Sequence, residues 1–506
     1  MITALVVLAF FATAMLRERT SDSDLPRRTV ASAPAAQPPN ILVFITDDQT
    51  IGTWSAMPRT TQLVRGHGIT FTRAYVSDPS CCPSRSTILT GDWAHTTGVY
   101  TNRRQYGGFR AFYRNGNEAR TIATYLDPTY DTALFGKYLN GYSSYANQLG
   151  KSGYVPPGWD NWEAFYGMNG AYYNYKLDVN GQLINYGHAP QDYSTDVIGQ
   201  RLREWLDTSD GDGRNPSQPF FAYVAAFSPH APTDASITHG DTHRFLNLPP
   251  FRSPALNERD VSDKPSYIRA LPPINPLGME RLTNVWRQQH QSLFSYDRQI
   301  GLTLKLLRTE HQLRNTLVIV MSDNGETTGE HRWTYKLVPY ERSVRVPLAI
   351  RYDRLIRHPG TTDSRDLVAN ADLFPTIASV ALGPRWRPPQ PVDGLSLRNV
   401  LKGTQHGQLR RSIVLENEYY ARGGLKRNVP TYCGIVTRRW KYVVYSPTSK
   451  DPGLVAGSEE DELYDLKHDP SELHNLAASR PGIAAQLRKR LAKACSPTPP
   501  GWDVRW

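Results

Sequence analysis

Cysteine is scarce: four residues in 506, far too few for a disulfide-built scaffold. Beyond the N-terminus no apolar run approaches the roughly 20 residues a membrane-spanning helix needs, which excludes a polytopic membrane protein. Internal repeats are missing, and so are a helix-turn-helix, a zinc finger and an aromatic-basic RNA motif, so nucleic acid is discounted as a partner. What the chain does have is core-building material. Hydrophobic residues make up 39%, charged residues 21%, with 11 Trp, 28 Tyr and 15 Phe. That mixture rules out wholesale disorder, collagen and coiled coil. At about 150 residues per domain the length suggests two or three domains. Lys plus Arg exceed Asp plus Glu by 58 − 47 = 11. Such a surplus favours polyanionic partners (nucleic acid, acidic lipid or sulfated glycan) without choosing among them.

The first segment reads as an address. Ile2 to Leu16 carries no charge, and at ~1.5 Å per residue it spans about 22 Å, short of the ~30 Å bilayer core. It resembles a signal-peptide core, with cleavage options at Ala12-Thr13-Ala14 and Ala31-Ser32-Ala33. Arg17 and Arg19 follow that core instead of preceding it, so a membrane anchor stays open beside secretion. The expectation is an exported protein, with residues 1–39 serving as signal or anchor plus a linker rich in Pro, Ala and Ser.

From Asn40 short apolar runs alternate with longer mixed stretches. Ile41–Ile45, Thr132–Phe135, Phe220–Ala226 and Thr316–Met321 are continuous hydrophobic runs, as expected for strands buried on both faces. Between about Met279 and His311, Val285, Trp286, Leu293, Ile300, Leu304 and Leu307 recur at helical spacing. Alternating strands and helices imply an α/β domain with a large, mostly parallel sheet flanked by helices. A boundary is expected at Pro384–Pro391, which gives a catalytic domain over 40–385 and a smaller C-terminal part over 386–506. There, 412–415, 434–437 and 441–445 read as a short antiparallel sheet and 483–494 as a basic amphipathic helix. The Pro-rich stretch from Pro229 to Pro276 is too long for an ordinary connection and is expected to edge a functional site.

Ligands in open α/β sheets collect at the carboxyl ends of strands. The four runs lead into Asp47-Asp48, Gly136-Lys137, Ser228-Pro229-His230 and Asp323-Asn324-Gly325. Three carboxylates and an amide oxygen make a hard, oxygen-only set suited to Ca²⁺ or Mg²⁺, although a lone Asp after a strand more often caps a turn. Convergence from two strand ends favours the metal. Ser80-Cys81-Cys82-Pro83-Ser84-Arg85 precedes Ser86-Thr87-Ile88-Leu89-Thr90-Gly91, and Pro near its start with Gly at its end predicts a short helix. Cys81 would then sit by a helix N-terminus, where an anion is favoured, with Arg85 able to clamp its oxygens. A pair of buried, inert thiols is the plainer alternative.

These residues resemble the formylglycine-dependent sulfatase family. Cys81-x-Pro83-Ser84-Arg85 with Ser86–Gly91 looks like its signature. Asp47-Asp48, Gly136-Lys137, Ser228-Pro229-His230, Asp323-Asn324-Gly325, Asp372–Thr376, Arg439–Tyr442 and Glu462–Leu466 follow in family order. Within it, Cys81-Cys82, Gly136–Asn140 and Pro229-His230 are most similar to the N-acetylglucosamine-6-sulfatase-like branch. The resemblance implies an alkaline-phosphatase-like fold and hydrolysis of a sulfate ester, with a 6-O-sulfated N-acetylglucosamine as the leading substrate. It implies that a formylglycine-generating enzyme converts Cys81 to formylglycine, and that Asp47, Asp48, Asp323, Asn324 and the residue at 81 hold Ca²⁺, or Mg²⁺. Arg85 would stabilise the diol, Lys137 and Lys336 the sulfate oxygens, and His230 the leaving oxygen.

One departure stands out. Leu139 occupies the place where many sulfatases carry a histidine two residues after the lysine, and the neighbouring amide Asn140 is no base. His95 is a candidate for that task, with a loop-orienting role equally open. His331, upstream of Lys336, reads as a surface residue or a substrate contact. Trp159, Trp162 and Tyr172 are available to stack on sugar faces or to fill the core. Cys433 and Cys495 are expected to pair in an oxidising compartment. Two other readings stand beside it: a phosphodiesterase or phosphonate hydrolase of the same superfamily, and an inert glycan-binding relative.

Overall fold

The computed structural model describes residues 37–167, 170–207, 214–215, 217–419, 428–446, 460–504 and 506. The expected signal or anchor segment lies outside them. At the centre lie the four runs read from the sequence: β1 (Asn40–Thr46), β2 (Asp131–Gly136), β3 (Phe220–Ala225) and β4 (Thr316–Ser322). They are neighbours in the order β4-β1-β3-β2 and all pair in parallel. Asn161–Tyr166 adds a fifth parallel strand beside β2. Antiparallel strands extend the sheet on both sides, to ten strands among the described residues.

Every residue of β1, β3 and β4 is buried because both faces are covered. Leu42, Phe44, Val318 and Val320 point toward Ile198, Leu202, Leu293, Tyr296 and Leu304, which belong to α3 (Ser194–Leu206) and α4 (Pro276–Thr309). Ile41, Val43, Ile45 and Ile319 point the other way, toward Ile88, Phe109, Phe112 and Phe374. Ile88 lies on α1 (Cys81–Thr90), Phe109 and Phe112 on α2 (Gly108–Arg114). Helix α1 starts at Cys81, two residues before the Pro83 that marked it in the sequence, and its C-cap is Gly91. Two-sided cover explains why these strands read as unbroken hydrophobic runs.

The C-terminal part holds an antiparallel sheet of β5 (Ile413–Asn417), β6 (Thr431–Val436), β7 (Trp440–Ser446) and β8 (Glu462–Asp465), with α5 (Pro481–Ala494) packed on one face. Strand β8 is one more than periodicity revealed. Cys433 of β6 is joined to Cys495 just beyond α5 by a disulfide, with Cα atoms 6.3 Å apart. The other face of the sheet shares a core with Trp333, Leu337, Val338 and Tyr340 of the loop after β4. Trp159, Trp162 and Tyr172 are 7%, 0% and 5% exposed, so they fill the core and offer no sugar platform. Among the described residues no helix is long and apolar enough to cross a membrane.

Candidate active site

Parallel strands deliver their carboxyl ends to one edge of the sheet, and the predicted residues meet there. Asp47 and Asp48 follow β1; Asp48 takes a left-handed backbone, φ 69°, a conformation Asp tolerates better than most residues. Lys137 follows β2 through Gly136, whose φ is 97° and whose added Cβ would lie 2.2 Å from the Ala225 carbonyl oxygen. Only glycine lets the chain turn so tightly across the neighbouring strand. His230 follows β3, and Asp323 and Asn324 follow β4. Helix α1 presents Cys81 at its first residue and Arg85 one turn on.

Cys81 Sγ lies 2.9 Å from Lys336 Nζ, 3.4 Å from Lys137 Nζ and 3.6 Å from Asp47 Oδ1. Lys137 also pairs with Asp47, and Lys336 with Asp48. Arg85 Nε donates to Asp323 Oδ2 at 2.8 Å, and its Nη1 to the Lys137 carbonyl at 2.8 Å. Asp48 N–H donates to Asp323 Oδ1 at 3.1 Å, while Asn324 Nδ2 donates to Asp48 Oδ1 at 2.6 Å. Three carboxylates (Asp47, Asp48, Asp323) thus face three cations (Arg85, Lys137, Lys336), and none of the six is more than 2% exposed.

This balance governs the protonation states. Burial pushes the Asp47 and Asp48 carboxyls up, but Lys137 beside the first and Lys336 beside the second hold both below the usual range. Burial pulls the two ammoniums down, and the same carboxylates return them to values above normal. For Cys81 burial prevails over both lysines, and its thiol is pushed up to about 12. His230 Nε2 stands 3.5 Å from Asp48 Oδ2, and its side chain is 26% exposed. Burial lowers its pKa despite the attraction of Asp48 and Asp47.

The donors of Asp47, Asp48, Cys81 and His230 lie within 4.8 Å of one another, a group able to hold a cation. Asp323 is not in that group; it is tied in through Arg85 and the Asp48 amide. Asn324 Oδ1 is buried without a hydrogen-bond partner. An orphaned amide oxygen beside carboxylates fits a hard divalent ion.

Three predicted residues lie elsewhere. Asn140 packs against Cys82: its N–H lies 2.8 Å from Cys82 Sγ and its Oδ1 3.4 Å. His95 Nδ1 meets Glu416 Oε1 of β5 at 2.6 Å. Burial lowers the pKa of His95, and the Glu416 bond raises it to a net value above normal. His331 is 1% exposed, correcting the surface reading, and its Nδ1 is 2.5 Å from Glu258 Oε2. Sequence reasoning missed Phe227. Its ring stacks on His230 at 4.6 Å and lies 5.6 Å from Lys137 Nζ; its place at the end of the β3 run was the available signal.

The sulfatase family model matches residues 39–384, and a model described as N-sulphoglucosamine sulphohydrolase, C-terminal, matches 329–496. An extracellular sulfatase SULF-1 homolog of Drosophila melanogaster is 34% identical over 372 residues, 72% of this chain and 31% of that protein. The chain therefore spans about a third of that relative's length. The N-acetylglucosamine-6-sulfatase of Capra hircus is 30% identical over 493 residues, 92% of this chain and 85% of the relative. One solved structure, a complex with its substrate D-glucosamine-2-N,6-O-disulfate, shares the fold with a TM-score of 0.72. It is 22% identical in sequence, and the match covers 92% of this chain and 99% of that one. With a family model over most of its length and the matching residues gathered at one sheet edge, the chain belongs to the sulfatase family.

Proposed function

We propose that the protein hydrolyses a carbohydrate sulfate ester, foremost a 6-O-sulfated N-acetylglucosamine, through formylglycine formed at position 81. The observation that carries this reading is the setting of Cys81 Sγ, between two ammonium groups and the Asp47 carboxylate. A thiol whose pKa is pushed to about 12 supplies little thiolate at neutral pH, so cysteine itself is a poor nucleophile here. Formylglycine supplies, as its hydrate, one oxygen to attack sulfur and a second to release sulfate. Ca²⁺ or Mg²⁺ held by Asp47, Asp48, Asp323 and Asn324 supplies positive charge that favours an ionised diol oxygen. With it the buried charges sum to +2, which suits a sulfate ester monoanion.

The chain's own residues do the remaining work. Lys137 and Lys336 bind non-bridging sulfate oxygens, and Arg85 fixes the first turn of α1 against Asp323. His230 Nδ1 is 2.5 Å from the Ala231 carbonyl, which leaves Nε2 to face the site. Handing a proton from Nε2 to the departing sugar oxygen, typically worth roughly 10²–10⁴-fold, requires the imidazolium, which Asp48 and Asp47 favour and burial opposes. Since Cys81 is 1% exposed, the generating enzyme must reach it before α1 is enclosed. The Cys433–Cys495 bridge and the extracellular relatives support export. A phosphodiesterase with two ions is not favoured, because the described residues hold a single group able to bind an ion.

The sugar assignment rests on the relative named an N-acetylglucosamine-6-sulfatase and on the disulfated glucosamine of the solved complex. The test compares kcat/KM for N-acetylglucosamine 6-sulfate, other sulfated sugars and a nitrophenyl sulfate. An aryl ester preferred by more than about tenfold, some 1.4 kcal/mol of transition-state stabilisation, would overturn it. Mass analysis of the Ala74–Arg85 peptide should show that Cys81 has lost its sulfur and Cys82 has not.

A further inference from the structure

Against Cys82, the residue after Cys81, lies a basic cleft that the sulfatase reading does not use. It encloses about 380 Å³ and is lined by Asn102, Arg103, Arg104, Arg110, Asn140 and Gln148 together with neighbouring residues. Two of these residues are attached to the catalytic helix: Cys82 N–H donates to Asn102 Oδ1 at 2.7 Å, and Asn140 packs on Cys82 Sγ. The cleft wall is thus one residue removed from Cys81. Arg103, Arg104 and Arg110 are exposed, and among the described residues no carboxylate pairs with any of them. Three like charges around one small cleft repel one another, and an anion entering between them relieves that repulsion.

The loop is built to stay there. Arg104 has a left-handed backbone, φ 73°, and the Thr101 hydroxyl donates to the Arg103 carbonyl at 2.5 Å. Gly108 has φ 63°, and an added Cβ would lie 2.5 Å from the Asn140 carbonyl oxygen and 2.7 Å from that of Asn102. The loop backbone therefore rests directly on the segment that carries Asn140. Glycine at 108 is what permits this approach.

We propose that Arg103, Arg104 and Arg110 form a subsite for a second anionic group, sulfate or carboxylate, carried by the same glycan as the scissile sulfate. The proposal deepens the sulfatase reading and rests on it. Guanidinium forks match both anions bidentately, and an exposed site of this kind weakens steeply with salt.

The experiment has two arms, each comparing wild type with Arg103→Ala/Arg104→Ala/Arg110→Ala. In the first, kcat/KM is measured for N-acetylglucosamine 6-sulfate, for D-glucosamine 2-N,6-O-disulfate and for a uronate-linked disaccharide 6-sulfate. The wild-type preference for one of the doubly anionic substrates should fall at least tenfold in the variant, and whichever substrate shows it identifies the second anion. Equal losses on all three substrates, or no loss, would overturn the proposal. In the second arm, binding of a heparin octasaccharide is followed by calorimetry in a Cys81→Ala background at low and high salt. Affinity at low salt should drop at least tenfold, and its salt dependence should flatten. Unchanged affinity overturns the subsite whether or not wild type turns over any sugar sulfate, whereas absent turnover with weakened binding counts against the sulfatase reading alone.

Discussion

Arg85 gives the sharpest test of the buried charge balance. Its guanidinium is 0% exposed, with Nε 2.8 Å from Asp323 Oδ2 and Nη2 3.7 Å from Asp47 Oδ2. At 2.8 Å and an effective dielectric of about 20 the Asp323 attraction is roughly 6 kcal/mol before desolvation is counted. Arg85→Met keeps the bulk of the side chain and removes the charge. It leaves Asp323, itself 0% exposed, with the Asp48 amide as its remaining hydrogen-bond donor among the described residues. Removing one partner of a buried pair typically costs 3–5 kcal/mol, and that is the loss expected. Adding Asp323→Asn removes the stranded charge and keeps an acceptor for the Asp48 amide, so the double variant should recover to within about 2 kcal/mol of wild type. Both are measured by urea unfolding in chelator, followed in parallel by circular dichroism and tryptophan fluorescence so that a coincident transition is verified. Activity does not enter, since both variants disarm the site. A loss below about 1 kcal/mol in the single variant, or a double variant as unstable as the summed singles, would refute the idea of a tightly coupled cage.

Asp47→Asn should lower bound calcium and activity together; equal metal content by atomic emission, with equal turnover, would remove Asp47 from the ion's ligands. Replacing Cys433 and Cys495 by Ser opens a loop of 62 residues and should cost about 4 kcal/mol in the chain-entropy account, read as a lowered urea midpoint. Free labelling of both thiols in denatured, unreduced wild type would contradict the bridge. Burial holds the Glu118 carboxyl at about 7 against an ordinary 4.5, with the Tyr154 hydroxyl only partly opposing. The folded chain therefore keeps a proton that the unfolded chain releases, and stability falls as pH rises between those values. Glu118→Gln should remove a loss of about 3 kcal/mol when urea midpoints at about pH 5 and pH 8 are compared; an unchanged pH slope would count against it.

The central strands were legible because a doubly covered parallel strand writes itself as an unbroken apolar run, a local signal. Their last residues were legible as a site for the same reason: topology puts parallel carboxyl ends on one edge, so Asp47, Asp48, Lys137, His230 and Asp323 needed no knowledge of packing to be drawn together. The pairing of Cys433 with Cys495 followed from compartment and scarcity. Lys336 and His331 sit in irregular loops and His95 in a single helical turn, Ala94–Thr97, where side-chain direction is set by distant partners. Local pattern could not place His331 on Glu258 or His95 on Glu416. Nor could it decide the aromatic residues at 159, 162 and 172, whose composition suits a core and a sugar platform equally.

The loop that brings Lys336 to Cys81 is held from behind. Trp333 Nε1 donates to the Lys336 carbonyl at 3.1 Å, and Tyr340 OH to Glu462 of β8 at 2.9 Å. Lys441 of β7 donates to the Pro339 carbonyl at 2.8 Å and pairs with Glu341 at 2.9 Å. Heredity of the two parts is therefore linked. A chimaera joined at the proline-rich stretch 384–391 would take Lys336 from one parent and its anchor from the other, and would be expected to fail at the chemistry even if each half folded. In a pedigree of such enzymes, exchanges across that seam should be rare unless residues 333–341 travel with the C-terminal sheet.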